Sequence, residues 1–408
     1  MRQNNIRSFT LVELLIVIAI LAILAASVVI VINPGEMMAQ ARDAERIGSI
    51  ESLKKSIDLF ILDNPGSSLG SLNTVYVSIP DASSSTCTNV SGLPTLPSPW
   101  TYHCVTAANL RKTDSTGWIP LNLGNIYGGS PISSLPIDPI NDSVSGKYYT
   151  YVMGGSYGLS ALLESQKNFA LKDGGQYVEM FEAGTNLSLL PVSHDPSLVG
   201  YWTFEGTGSI SNNQTTGLTD SSGKGNNGTA INTDGAVMSF SPGKIGNGIT
   251  LDGVDDAISV PHSASLMPAS LSVSGWVNFS GSQSWMLVNK AAGGTSGSYY
   301  IYGGGGYGTW SIFGPTGTRY DCSFGSWALG NWYHFVGTFD TSSGKSKCYT
   351  NGQLKGTING AALGSNTDRV YIGRYASGYQ MPGTIDDIRI YNRALSDSEV
   401  KALYENSR

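Results

Sequence analysis

Glu13 makes the heaviest chemical demand in this chain, because it is a carboxylate set inside hydrocarbon. The stretch 9–32 reads FTLVELLIVIAILAILAASVVIVI, and from position 14 to 32 only Ser27 interrupts the apolar run. A helix rising about 1.5 Å per residue over this run matches a bilayer core about 30 Å thick. An acid facing lipid there costs about 2.5 kcal/mol or more, so it requires a cationic partner. A second group of side chains has the chemistry for stacking. Tyr299, Tyr300, Tyr302, Tyr307 and Trp310 gather around the glycines of 303–306, and Tyr375 and Tyr379 follow Arg374. Sugar rings stack on exposed aromatic faces, which makes Tyr302, Tyr307, Trp310 and Tyr375 candidate glycan contacts; alternate tyrosines in a strand also serve plain packing. Cys87, Cys104, Cys322 and Cys348 form two sequence-local pairs with neither a CxxC nor a metal-ligand spacing. Disulfides Cys87–Cys104 and Cys322–Cys348 are expected, as is ordinary outside the cytoplasm; four buried thiols are the alternative.

These groups need elements to position them. The sequence Asn33-Pro34-Gly35-Glu36 places an N-cap, a proline at the first helical position and a Glu three residues after the cap, so it marks a break after the apolar run. From 37 to about 62, Met37, Ala41, Ala44, Ile47, Leu53, Ile57, Phe60 and Ile61 recur near helical spacing, and Asn64-Pro65-Gly66 ends the segment. Strands are expected at 76–79, 102–105, 148–153, 157–163 and 177–181, where Tyr and Val are frequent. The stretch 182–197, with two prolines and no periodicity, reads as a linker. From 198 onward short strands separated by Gly-rich turns suggest a sandwich or jelly roll, closed by the capping box Ser396-Asp397-Ser398-Glu399 and a short helix. With 408 residues there is room for two or three domains. Charged residues are only 13% and glycines number 51, a balance suited to surface β structure rather than a helical cytosolic enzyme. The net charge of −6 argues against a nucleic-acid partner.

The segment Arg7-Ser8-Phe9-Thr10-Leu11-Val12-Glu13-Leu14-Leu15 resembles the processing site of bacterial type IV prepilins and of type II secretion pseudopilins. The resemblance implies a leader over 1–8, cleavage by a prepilin peptidase between Ser8 and Phe9, and N-methylation of Phe9. It also implies that Glu13 neutralises the new amine of a neighbouring subunit in the filament, replacing two isolated charges by one pair. The family usually has Gly before the cut; Ser8 is a small residue in its place. A secretory signal peptide or a plain membrane anchor would account for the basic start and the apolar length, but neither accounts for Glu13. The segments 117–120 and 135–141 and the strands that follow resemble pilin heads, implying an α+β pilin fold over 33–181 with a long helix on an antiparallel sheet.

The ordered series YWTFEGTGS, TDSSGKGNNG, ITLDGVDDAISV, LSVSGWV, WYHFVGTFD, YTNGQLKG and GTIDDIRIYNRALSDSEVKALYE resembles the concanavalin A-like, laminin-G-like jelly rolls across 198–408. That family implies two packed antiparallel sheets, frequent glycan binding and often a structural Ca²⁺, here expected at Asp220 and Asn226 with Asp386, or Asp387 in its place; turn-forming Asp and Asn residues that hold loops through their own backbone bonds are the alternative. Some relatives are glycosidases, which need two carboxylates about 5 to 9.5 Å apart. Between 198 and 408 the glutamates are Glu205, Glu399 and Glu405 alone, two of them on the terminal helix, and the paired-Glu strand motif is absent. The reading is therefore a non-enzymatic, minor or specialised pilin-like filament subunit that presents a lectin-like adhesion domain. It would wait in the cytoplasmic membrane as a single-pass protein and then move to an extracellular pilus with other pilin subunits. The alternatives are a secretion pseudopilin that holds exported substrate on its jelly roll and, from a different class, a membrane-anchored polysaccharide hydrolase.

Overall fold

The computed structural model describes residues 11–165, 173–234, 237–290, 299–360, 362–375 and 378–406, and within 22–32 the backbone but not the side chains. Ser8 and Phe9, the expected processing residues, lie outside the described residues. Helix α1 (Leu11–Ile32) carries Glu13 in its first turn. Helix α2 (Pro34–Asp63) follows at once. Asn33 between them adopts the left-handed conformation (φ 43°), and its side-chain oxygen accepts the Glu36 N–H at 3.4 Å, so the expected break is a built cap. Among the described residues no helix is long and apolar enough to cross a membrane, although the apolar run of the sequence continues through 22–32.

Along α2 the buried residues are Ala39, Asp43, Arg46, Ile50, Leu53, Ser56, Ile57 and Phe60, a stripe with helical period. Its first half is charged rather than apolar, and Met37, expected on the buried face, is exposed. Arg46 donates two hydrogen bonds to Asp138, at 2.6 and 2.9 Å, and a third to Asp43 at 2.9 Å. Arg42 grips Glu164 at 2.7 and 3.0 Å. The backbone N–H groups of Glu164 and Ser165 donate to Asp43. The two buried charges of α2, Asp43 and Arg46, are thus paired, as burial requires.

The helix covers a five-stranded sheet of β1 (Thr74–Pro80), β2 (Thr101–Val105), β3 (Tyr149–Met153), β4 (Tyr157–Leu162) and β5 (Met180–Gly184), in the order β2-β1-β3-β4-β5. The antiparallel expectation fails at one edge, where β2 runs parallel to β1. A parallel neighbour needs a long crossover, and residues 81–100 supply it, tied to β2 by the Cys87–Cys104 disulfide. Strand β5 begins three residues later than expected and runs to Gly184, into the stretch read as a linker. Beyond it Leu190, Val192, Ser193 and His194 are buried, so this stretch is a packed joint and not a loose tether.

The rest is an all-β jelly-roll sandwich. Its strands are β6 (Leu198–Trp202), β7 (Ser209–Ile210), β8 (Thr229–Ile231), β9 (Met238–Pro242), β10 (Asn247–Asp252), β11 (Ala257–Val260), β12 (Leu271–Phe279), β13 (Trp285–Lys290), β14 (Tyr299–Gly304), β15 (Tyr307–Phe313), β16 (Arg319–Ser326), β17 (Trp332–Asp340), β18 (Lys345–Thr350), β19 (Gln353–Asn359), β20 (Val370–Ile372) and β21 (Pro382–Tyr391), followed by helix α3 (Asp397–Asn406). One sheet runs β19-β18-β17-β12-β21-β10-β9-β7, with β6 also paired to β21; the other runs β16-β15-β14-β13-β20-β11-β8. Their inner faces share one apolar core that includes Trp202, Phe279, Trp285, Trp310 and Phe335. The Cys322–Cys348 disulfide joins β16 of one sheet to β18 of the other. The outer face of the nine-stranded sheet is covered in turn: Tyr201, Val336, Tyr349, Tyr391 and, from the C-terminal segment, Leu395, Val400 and Leu403 form one core with Leu162, Tyr177 and Leu190 of the head.

Candidate functional site

The outer face of the seven-stranded sheet carries a different arrangement. Strand β14 alternates, sending Tyr299 and Ile301 into the core and Tyr300 and Tyr302 outward. A bulge between Met286 and Val288 lets both Leu287 and Val288 face inward while Met286 stays outside. Met286, Tyr300 and Phe313 are each 5% exposed and form a floor, with Tyr302 and Tyr375 packed against it. Tyr379, 47% exposed, completes the wall. Together with Arg319 these residues line a cleft of about 400 Å³.

Two pairs of its rings meet edge to face and a third pair is tilted. Tyr302 and Tyr379 are 5.6 Å apart at 86°, Tyr375 and Tyr379 6.0 Å apart at 72°, and Tyr300 and Phe313 5.5 Å apart. Tyr379 has φ +54°, and its carbonyl accepts the Met286 N–H at 3.0 Å, which ties this wall to β13. The guanidinium of Arg319 lies 5.5 Å from the Tyr300 ring, and burial raises the Tyr300 phenol above its ordinary range. A concave surface of ring faces with a few polar groups at the rim can hold a ligand with apolar faces and hydroxyl edges.

Of the four aromatics proposed from sequence, the structure brings Tyr302 and Tyr375 together. Tyr307 is exposed on the same outer face but lies outside the cleft lining. Trp310 is corrected to the core: it is fully buried, donates to Ser346 at 3.0 Å, and lies against Gly337, where any Cβ would fall 2.0 Å from its ring. Sequence reasoning did not assign Met286, Tyr300, Phe313, Arg319 and Tyr379 to the site. The signal was the alternation of β14, but register across β13, β15 and β16 was needed to use it.

Of the residues assigned to calcium, Asp220 and Asn226 meet in one turn and Asp386 caps another, each with its polar atoms engaged by the protein. Asp220 accepts backbone N–H bonds from Tyr201, Ser222 and Asn226 and the Ser222 hydroxyl, all at 2.8 to 2.9 Å. Asn226 gives its amide to Val199 and Ser265. Asp386 caps the turn at Lys244 and Ile245, at 2.8 and 2.9 Å, and burial pushes its carboxyl up to about 8. Among the described residues the carboxylates spaced to share a cation are Asp234, Asp252 and Asp255, within 4.8 Å of one another; exposed acids also gather this way without an ion.

The glutamates of the sandwich serve local structure. Glu205 accepts the Asn247 N–H, Glu399 closes the α3 cap with Ser396, and Glu405 faces Lys401. The string Gly154-Gly155-Ser156-Tyr157-Gly158 has the spacing of a hydrolase nucleophile elbow, but it forms the turn of a β-hairpin and leads into no helix. His334 is buried against Trp276, with ring centroids 5.0 Å apart, and burial holds its pKa down to about 3, as suits a structural histidine. A larger cleft, about 790 Å³, lies between head and sandwich. Its cations are already engaged: Lys147 with the Leu163 carbonyl, Lys345 with the Asn359 side chain, Lys347 with Asp397 and Arg393 with Glu399.

Residues 3–29 match the model of the prokaryotic N-terminal methylation motif, and residues 252–401 match that of the concanavalin A-like lectin/glucanases superfamily. No curated protein matches the chain. Among solved structures, domain 4 of AbnA, a GH43 extracellular arabinanase from Geobacillus stearothermophilus in complex with arabinotriose, is 24% identical over 52% of this chain and 98% of its own, with a TM-score of 0.41. The binding domain of Paraclostridial Mosquitocidal Protein 1 is 18% identical over 51% of this chain and 52% of its own (TM-score 0.40). The binding domain of Botulinum Neurotoxin DC in complex with SialylT is 17% identical over 52% of each chain (TM-score 0.39). The chain thus spans about half the length of these toxin domains. It carries a prokaryotic N-terminal methylation motif and a concanavalin A-like, laminin-G-type domain, and so resembles structural and binding modules.

Proposed function

We propose that the chain is a pilin-like subunit of a type IV filament, minor or specialised, that displays its sandwich for attachment to a saccharide surface. The observation that carries the reading is the methylation-motif match over residues 3–29, with Glu13 exposed in the first turn of α1. A capped break leading into a helix laid on a sheet supports a pilin-like head. The open aromatic cleft supports saccharide binding by the sandwich. Before assembly the apolar helix is held in the cytoplasmic membrane; afterwards neighbouring helices bury it, and the Phe9 ammonium of one subunit meets Glu13 of the next. The sandwich is large relative to the head, which favours a tip or sparsely placed position.

Mass spectrometry of sheared surface filaments tests this. The expected subunit begins with N-methylated Phe9, and Glu13→Ala drops incorporation about tenfold or more, because an isolated buried ammonium is left behind. A subunit that still begins at Met1 in working filaments, or unaltered incorporation of Glu13→Ala, would contradict the reading. Recovery from the envelope alone, with none in sheared filaments, would favour the secretion pseudopilin instead.

A further inference from the structure

The occupant of the cleft can be narrowed by its chemistry, on the assumption that the saccharide reading above is right. Arg319 is the charged side chain among the residues that line the cleft. Its Nε donates to Asp321 at 2.6 Å, Asp321 is itself held by the Ser311 hydroxyl at 2.6 Å, and the guanidinium stands 5.5 Å from the Tyr300 ring. That pairing uses one edge of the fork. Among the described residues the two terminal nitrogens make no hydrogen bond, so they remain available at the rim.

A guanidinium fixed on one edge by a carboxylate and flanked by a ring is preorganised to take a second carboxylate bidentately, which a lysine ammonium cannot do. Tyr302 and Tyr379 line the same cleft, and a pyranose can stack on such rings. We infer that the cleft takes an acidic saccharide, with the sugar ring against Tyr302 and Tyr379 and its carboxylate on the free edge of Arg319. Because Asp321 offsets the charge of Arg319, recognition depends on the fork and not on a long-range positive field. The same chemistry would come from a hexuronate chain or from a sialylated glycan.

Calorimetry on the full chain in detergent micelles separates these cases, using 3′-sialyllactose against lactose and trigalacturonate against its methyl ester. In at least one pair the acid binds about tenfold tighter than its neutral counterpart, the scale of one charge-assisted contact. The ratio falls to about one in Arg319→Gln and only partly recovers in Arg319→Lys, with thermal unfolding of both variants recorded to confirm that they fold. The pair that shows the preference identifies the source. Binding of neutral and acidic forms with equal affinity overturns the inference and leaves the saccharide reading standing. A preference that survives in Arg319→Gln also overturns the inference. No binding of any of the four overturns both.

Discussion

The two outer faces of the sandwich start from the same strand alternation and end differently. The nine-stranded sheet turns Ser274, Trp276, His334, Arg389 and Tyr391 outward, and all five are buried because α3 and the head lie over them. The seven-stranded sheet turns Tyr302, Tyr307 and Arg319 outward, and among the described residues no helix or second sheet covers them. On the closed face the buried charge is tied within the protein, where Arg389 donates to Tyr201 at 2.8 Å and lies 2.8 Å from Asp387, while the Ser274 and Tyr391 hydroxyls, the Trp276 indole N–H and both His334 ring nitrogens are buried without a hydrogen-bond partner among the described residues. On the open face aromatic rings and a guanidinium edge are left for something else. The same outward positions therefore carry stability on one side and recognition on the other, and substitution can separate the two.

The largest expected effect lies on the closed face. Arg389→Met leaves Asp387 buried without its cation and destabilises the chain by about 3–5 kcal/mol, whereas Arg319→Met, on a half-exposed pair, costs less than about 1 kcal/mol. Equal losses in thermal unfolding would erase the distinction between the faces.

The next effect is a pH dependence. Glu179, just before β5 with its Oε1 accepting from Ser193 of the joint, is pushed up to about 7, first by burial and then by Asp195, against the pull of Arg389. A carboxyl whose folded pKa exceeds its unfolded value contributes fully below about pH 4.5 and loses that contribution as pH rises through 7. Buried His194 and His334, held down to about 4 and 3, have the opposite sign over part of this range, so the readout is a difference between variants. Glu179→Gln should gain on the parent between pH 4.5 and 7 by up to about 3 kcal/mol. A constant difference across that range would place Glu179 in water.

What the sequence disclosed and what it withheld follow from distance along the chain. The Asn33 cap, the α3 capping box and the two disulfides depend on residues near one another, and they stand as read. Trp310 and Tyr302 look alike locally, but Trp310 pairs with inward-facing Ile301 and Tyr302 with outward-facing Thr309. That register is set by partner strands and the core, not by the Tyr- and Gly-rich local composition. The parallel β1–β2 pair and the charged buried stripe of α2 were hidden for the same reason, since Asp138 and Glu164 lie about a hundred residues from Arg46. Asp220 and Asp386 carried the chemistry of cation ligands, yet Asp220 spends it on N–H groups that include those of its own turn and Asp386 on those of the distant turn at Lys244 and Ile245.

The claim that the open face is the working face is tested most directly by a glycan array probed with the full chain in detergent micelles, parent against Tyr302→Ala. The parent is expected to retain a defined set of saccharides, and Tyr302→Ala to lose them by about tenfold or more with its unfolding temperature little changed. Equal retention by the two proteins would contradict the account.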